Sequence, residues 1–281
     1  IRNVSGIGMD VDLVVFGSKC QDFTRAGKGK GGTKGSGTGS SLMWEAVRII
    51  DECKPKWIIW ENVSDAVNKT HMPNFIDYMN ELDEMGYNTY WEVLNAHELG
   101  SAQKRKRLFS VSVRKNIDNG EFKFKFEKVE PKKFKDYLED NVREEYNVEQ
   151  KIVDVLWLGT NEEGYMIKNA TKQGYAIAQE GDAIDTGFYN SKTRRGRVQR
   201  DACQTLLRSK SIATIQNGVM RYLTPFEYWR LQEMDDKMYD KVMECEFSQN
   251  EAYDVVGGVI NQKHLEVVLG SIADCFGWEI E

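Results

Sequence analysis

The chain has no apolar run approaching the roughly 18 residues that a membrane-spanning helix needs, so no span is expected. No secretory leader is visible at its N-terminus. Its five cysteines (Cys20, Cys53, Cys203, Cys245, Cys275) are scattered and odd in number. That excludes a disulfide framework and any cysteine pair at metal-ligand spacing. A reducing, cytoplasmic setting follows as the expectation. The three histidines, His71, His97 and His264, show no metal spacing either, and no metal is expected. Net positive charge is lacking: the formal charge is −6. The chain opens at Ile1 rather than Met, so a segment upstream is expected.

What is present begins with aromatics: 7 Trp, 12 Tyr and 12 Phe in 281 residues support a sizeable core, enough for one large domain and a smaller one. Basic residues are also concentrated locally. Seven lie between Asn190 and Lys210 against the single acid Asp201, and four between Arg25 and Lys34 with none. Such patches attract phosphates even on an acidic protein.

Val11 to Phe16 reads as a buried strand, Ser41 to Cys53 as a helix with Met43, Ala46, Val47 and Ile50 on one face, and Trp57 to Trp60 as a second strand. Pro73 to Met85 reads as a helix, Asn88 to Leu94 and Arg107 to Val113 as strands. Residues 25–41 are rich in Gly, Lys, Ser and Thr and read as a mobile loop. This alternation predicts an α/β sheet with helices on its faces, whose ligands gather beyond the carboxyl ends of the strands. Cys20 and Glu61 each follow a strand and should face one crevice. Asn119 to Gln150 reads as a charged connector. Lys151 to Asn217, punctuated by glycines, reads as a smaller strand- and loop-rich domain. Thr224, Pro225 and Glu227 spell a capped helix start, and Ile260 to Phe276 a last helix. The expected divisions are 1–150, 151–217 and 218–281.

Taken singly these residues have plain readings. A cysteine after a strand is often a small buried hydrophobe, Glu61 could complement a helix dipole, and the cluster Lys104 to Arg107 could be a solvated strand entry. Taken in order, they resemble the cytosine-5 DNA methyltransferase family. Ser18-Lys19-Cys20-Gln21 is similar to its Pro-Cys-Gln nucleophile motif, and Glu61-Asn62-Val63 to its Glu-Asn-Val motif. Gln103, Arg105 and Arg107 resemble its Gln-x-Arg-x-Arg motif. Arg221 to Pro225 with Glu227, Arg230, Leu231 and Gln232 resembles the motif carrying the target-recognition domain, and Gly257 onward the final motif.

The resemblance implies an S-adenosylmethionine-dependent, Rossmann-like α/β sheet, N-terminally incomplete, with a smaller irregular target-recognition domain at 151–217. It implies methyl transfer to carbon 5 of a cytosine flipped out of duplex DNA, through a covalent adduct on Cys20. Glu61 would hold the ring and donate a proton; Arg107 would contact the cytosine carbonyl; Arg105 would steady phosphate or the loop. Gly257 and Gly258 would lie beside the cofactor. DNA contacts would come from Gln21, Lys28, Lys30, Arg194, Arg195 and Arg197, and base readout also from Gln199 and Gln204. The loop after Cys20 would act as a lid. The expected setting is a bacterial or phage modification system.

The chain departs from the pattern in three places. Lys19 replaces the family's proline, which could favour thiolate at Cys20 or loosen the turn that aims it. Gly257-Gly258 stands where the family has Gly-Asn. The N-terminal cofactor motifs are missing, and Val4-Ser5-Gly6-Ile7-Gly8 only mimics their glycine turn, so a separate or omitted N-terminal segment is an expected partner. Two other functions stay open: a catalytically impaired DNA-binding relative, and an RNA cytosine-5 methyltransferase.

Overall fold

The computed structural model describes residues 3–5, 10–23 and 31–278. Strand β1 (Leu13–Gly17) leads through a loop to helix α1 (Met43–Cys53), strand β2 (Trp57–Val63), helix α2 (Met72–Glu84) and strands β3 (Tyr87–Asn95), β4 (Gln103–Lys104) and β5 (Lys106–Arg114). Then come α3 (Gln150–Leu156) and the short strands β6 (Trp157–Asn161), β7 (Gly164–Lys168), β8 (Tyr175–Ala178), β9 (Ala183–Asp185), β10 (Val198–Gln199), β11 (Cys203–Gln204), β12 (Ile212–Gln216) and β13 (Val219–Tyr222). Helices α4 (Pro225–Leu231), α5 (Asp236–Met243), α6 (Gln249–Gly258) and α7 (Gln262–Phe276) close the chain. No helix among the described residues is long and apolar enough to cross a membrane.

The chain divides into two compact units. The first comprises Ile1–Leu94, Lys106–Phe126 and Glu266–Glu281; the second Asn95–Arg105 and Glu127–Leu265. Packing therefore groups 127–265 together with the motif segment 95–105, where the sequence suggested divisions at 150 and 218.

In the first unit a mixed four-stranded sheet has the order β1-β2-β5-β3, with β1 parallel and β5 antiparallel to β2. β-Branched and aromatic residues suit such half-buried pleated surfaces. The two-residue alternation sends Ile58 and Trp60 of β2 into a cluster with Val47 and Ile50 of α1 and Phe75 and Tyr78 of α2. Trp57, of opposite parity, meets Phe276 and Trp278 instead. Helices thus cover both faces, as the alternation of elements predicts. Met43, Ala46, Val47 and Ile50, the expected apolar face of α1, are all buried.

The second unit holds the sheets β10-β9-β12-β13 and β6-β7-β8 and the parallel pair β11-β4. Its α4 begins at the expected cap. Thr224 Oγ1 accepts from the Glu227 backbone N–H at 3.1 Å, and the Glu227 carboxylate accepts from the Thr224 N–H at 2.8 Å. Arg221 holds the buried Glu227 bidentately, at 2.7 and 2.8 Å. The sequence signalled the cap; the arginine beneath it is a tertiary addition.

Candidate active site

Strand pairing sets the site's geometry. Gly17, the last residue of β1, pairs with Glu61 in parallel register. Across the other edge of β2, Glu61 pairs with Phe109 and Val63 with Arg107. Glu61 and Arg107 are therefore diagonal neighbours on one face, within reach for long side chains. Arg107 Nε lies 3.0 Å from Glu61 Oε1, and the two side chains are 14% and 18% exposed. Burial pulls the Arg107 guanidinium below its ordinary pKa, while the charges of Glu61 and of the Cys20 sulfur oppose that shift. Cys20 is exposed. The structure therefore brings together, in one unit, an accessible thiol, a carboxylate and a guanidinium.

The turn bearing Cys20 is held from several sides. Asn62, almost fully buried, donates from Nδ2 to the Ser18 carbonyl at 3.1 Å and to Ser18 Oγ at 2.8 Å. Its Oδ1 accepts from the Val63 N–H at 2.8 Å. Ser40 Oγ donates to the Lys19 carbonyl at 2.5 Å, and the Ser40 N–H donates to Asp22 Oδ2 at 3.0 Å. The Phe23 N–H donates to the Cys20 carbonyl at 3.0 Å. The stem of Lys19 passes over Gly39, where an added Cβ would stand 3.0 Å from Lys19 Cδ. These bonds hold the turn on both sides of Lys19, which stands where the family has proline. Ser18, Ser40 and Asn62 were absent from the expected site residues. Asn62 carried a signal, as the middle residue of Glu-Asn-Val; the serines carried none.

The glycine-rich loop departs from expectation in its described part. Its residues Gly32, Thr33 and Lys34 are bonded to α1 and α2. Trp44 Nε1 donates to the Gly32 carbonyl at 2.6 Å, Thr33 Oγ1 donates to Asn74 Oδ1 at 3.0 Å, and Lys34 pairs with Glu81 at 2.8 Å. Gly31 has φ +68°, and a Cβ there would meet Asn74 Nδ2 at 2.7 Å. The expectation of a mobile loop over 25–41 is corrected for this stretch. Lys28 and Lys30 lie outside the described residues, as do Gly6 and Gly8. Gln21 is exposed, beside Cys20.

Of the three polar residues of Gln-x-Arg-x-Arg, Gln103 and Arg105 stay together and Arg107 parts from them. Arg105 is 4% exposed and sits in the second unit. It donates to Gln103 Oε1 and to the carbonyls of Leu206 and Val259 at 3.5, 3.4 and 3.1 Å. Gln103 donates to the Leu231 carbonyl at 3.0 Å and accepts from the Leu206 N–H at 3.1 Å. Arg105, expected at phosphate or the loop, instead ties framework segments together; Arg107 alone pairs with Glu61, within electrostatic reach of Cys20.

Of the glycine pair, Gly257 serves packing. A Cβ on Gly257 would stand 2.2 Å from the Leu207 carbonyl oxygen, so only glycine permits that backbone approach. Gly258 faces the Arg208 side chain at 3.4 Å. The space at Gly257 is thus taken by the protein itself, and that residue builds no cradle for the expected cofactor, whereas Gly258 is exposed and makes only an ordinary contact.

Among the expected DNA contacts, Arg195 is exposed and donates to the Ala170 carbonyl at 2.8 Å. Arg194, 35% exposed, pairs with the buried Asp185. Arg197 is 1% exposed and gives its donors to the carbonyls of Asp185, Gly187 and Phe188 at 2.9, 3.1 and 2.8 Å. Composition reads all three as basic surface. The fold turns Arg197 inward, a correction to its expected contact with DNA. Gln199 Nε2 donates to Gln204 Oε1 at 3.2 Å.

An accessible cysteine beside a carboxylate–guanidinium pair, on an α/β sheet at the strand ends, is the arrangement of a nucleophilic transferase. Comparison with known proteins is consistent with that class: a family model for C-5 cytosine-specific DNA methylase matches residues 1–274, and the chain belongs to this family. It is 29% identical over 232 residues to the type II methyltransferase M2.ScrFI of Lactococcus lactis subsp. cremoris, covering 83% of this chain and 58% of that protein. To M1.ScrFI of the same organism it is 28% identical over 265 residues, covering 92% of this chain and 63% of the relative. The chain thus spans about six-tenths of the length of these relatives. The fold is similar to that of the Dnmt2 methyltransferase of S. pombe, with a TM-score of 0.59, 16% identity, and coverage of 95% of this chain and 79% of that one.

Proposed function

We propose that the chain is a DNA (cytosine-5)-methyltransferase that moves a methyl group from S-adenosylmethionine to carbon 5 of a cytosine flipped from duplex DNA, through an adduct on Cys20. The supporting observation is the exposed Cys20 held beside the Glu61–Arg107 pair in a member of this family.

Carbon 5 of cytosine is a poor nucleophile. Addition of the Cys20 thiolate to carbon 6 breaks the 5,6 double bond and moves its electrons onto carbon 5 and the ring nitrogen 3. A proton delivered to nitrogen 3 offsets the developing negative charge, the role proposed for Glu61. Arg107, freed in part from Glu61 by the incoming base, takes the cytosine carbonyl oxygen. Return of the nitrogen 3 proton to Glu61 and later loss of the carbon 5 proton to water restore the double bond and expel the thiolate, so Cys20 and Glu61 are both regenerated. S-adenosylmethionine, when bound, supplies an electrophilic methyl group. Gly257, packed against the Leu207 backbone, does not fit it, and no step here depends on either glycine.

In this reading the irregular region 151–217 recognises the target. Arg194 and Arg195 in the second unit, and Gln21 in the first, each contact DNA, and Arg197 and Arg105 hold the framework of the second unit. Membership of a bacterial or phage modification system is part of the proposal, since the named relatives are type II methyltransferases.

The test is transfer of tritiated methyl from S-adenosylmethionine to duplex DNA and, in parallel, to transfer RNA. Label in DNA that disappears with Cys20→Ala is expected. Label in transfer RNA alone would give the RNA reading. Binding to DNA with no Cys20-dependent transfer to either would leave a DNA-binding relative.

A further inference from the structure

Phe188 lies in the loop joining β9 to β10 and is 75% exposed, while no other large apolar side chain among the described residues exceeds 55%. Its backbone has φ +50°, a left-handed conformation that non-glycine residues seldom adopt. This exposure is not slackness. The buried Arg197 grips the carbonyls of Asp185, Gly187 and Phe188. Asp185 accepts from the Gly187 N–H at 2.8 Å and from Arg194, and the Ser191 N–H donates to the Phe188 carbonyl at 2.8 Å. The Arg194 guanidinium stands 5.6 Å from the ring centroid and backs it. A protein that fixes an unfavourable backbone conformation in order to present an apolar ring to water has a use for the ring. The loop around it is basic, with Lys192 and Arg195 exposed, and just past β10 the Arg200 side chain is 65% exposed and pairs with Asp182 at 3.9 Å.

We propose that Phe188 is the base-contacting side chain of this loop. Its ring meets the bases of duplex DNA, while the neighbouring cations take phosphates. The proposal rests on the DNA-methyltransferase reading above. Phosphate contacts position a protein on DNA but carry no sequence information; contacts to base edges, including apolar contact with the thymine methyl group, do the reading. An aromatic ring backed by one arginine and flanked by others provides both kinds of contact in a single loop.

The experiment is fluorescence anisotropy of labelled duplex DNA titrated with the full chain over a salt series. Phe188→Gly suits the left-handed backbone, so thermal unfolding should match or exceed wild type. It should weaken binding by about 5- to 140-fold, the equivalent of one base–aromatic contact, without changing the slope of log affinity against log salt. Phe188→Tyr should bind like wild type. Arg195→Ala, by contrast, should make the slope shallower by about 0.9 for one lost phosphate contact. Unchanged affinity in Phe188→Gly, a shallower slope in that variant, or failure of tyrosine to restore binding would overturn the proposal. A wild-type chain that binds no duplex at any salt would overturn the DNA reading itself.

Discussion

Gly17 and Glu61 face each other in adjacent parallel strands, and a Cβ on Gly17 would stand 3.3 Å from Glu61 Oε2. The missing side chain leaves room for the carboxylate to lie against Arg107. Because Arg107 holds the other oxygen at 3.0 Å, Glu61 cannot yield to a new methyl group without shifting the pair. Gly17→Ala should therefore lower methyl transfer, by less than the about 100-fold of a full ångström of misplacement because the carboxylate must give by only a few tenths, while the unfolding temperature changes little. Loss of fold in parallel with loss of activity would contradict this.

Asn62 makes three hydrogen bonds from an almost fully buried position, two of them to Ser18. Asn62→Ala leaves buried partners unpaired and should destabilise the chain by about 1–3 kcal/mol. Asn62→Asp keeps the shape but places an oxygen against the Ser18 carbonyl. In steady-state assays at a temperature where the fold holds, it should reduce kcat more than KM, because the turn that aims Cys20 is what loosens.

The two neighbouring glycines should respond in opposite ways. Gly257→Ala drives a Cβ into the Leu207 backbone and should cost about 1–3 kcal/mol through overpacking. Gly258→Asn, the residue the family carries there, meets Arg208 at an ordinary contact distance and should leave thermal unfolding nearly unchanged. Equal losses in both would contradict the packing role of Gly257.

Glu149 offers a pH test within the second unit. Burial pushes its pKa up, but its own backbone N–H, the Tyr222 hydroxyl at 2.8 Å and Lys210 at 3.3 Å outweigh that and hold it below 4.5. A depressed folded pKa contributes stability above the unfolded value, and this is lost as pH falls through the folded one. Below neutral pH, Glu149→Gln should therefore flatten the acid limb of the stability profile; an identical acid limb in variant and wild type would contradict this.

Much of this was legible in the sequence, for physical reasons. Strand alternation and the Thr224–Glu227 cap are local signals, and the structure returns both. The face of α1 follows from helical spacing alone. What local pattern cannot carry is which of several like residues the tertiary fold turns inward. Arg105 and Arg107 are two residues apart, yet the break between β4 and β5 sends one into carbonyls of Leu206 and Val259 and the other to Glu61. Arg197 is indistinguishable in sequence from Arg194 and Arg195 but closes a loop from beneath. Gly257 reads as a motif residue until Leu207 is seen 2.2 Å from its missing side chain. Phe188 opens the basic stretch and could have drawn attention as an aromatic among cations.

The most direct test of the central claim uses duplex DNA carrying 5-fluorocytosine, whose fluorine cannot leave as a proton does, so an adduct on carbon 6 would persist. Incubated with S-adenosylmethionine and run on a denaturing gel, the chain should give a covalent protein–DNA band that Cys20→Ala abolishes. A chain that methylates cytosine in DNA yet forms no such band, or forms it equally with Cys20→Ala, would contradict Cys20 as the nucleophile.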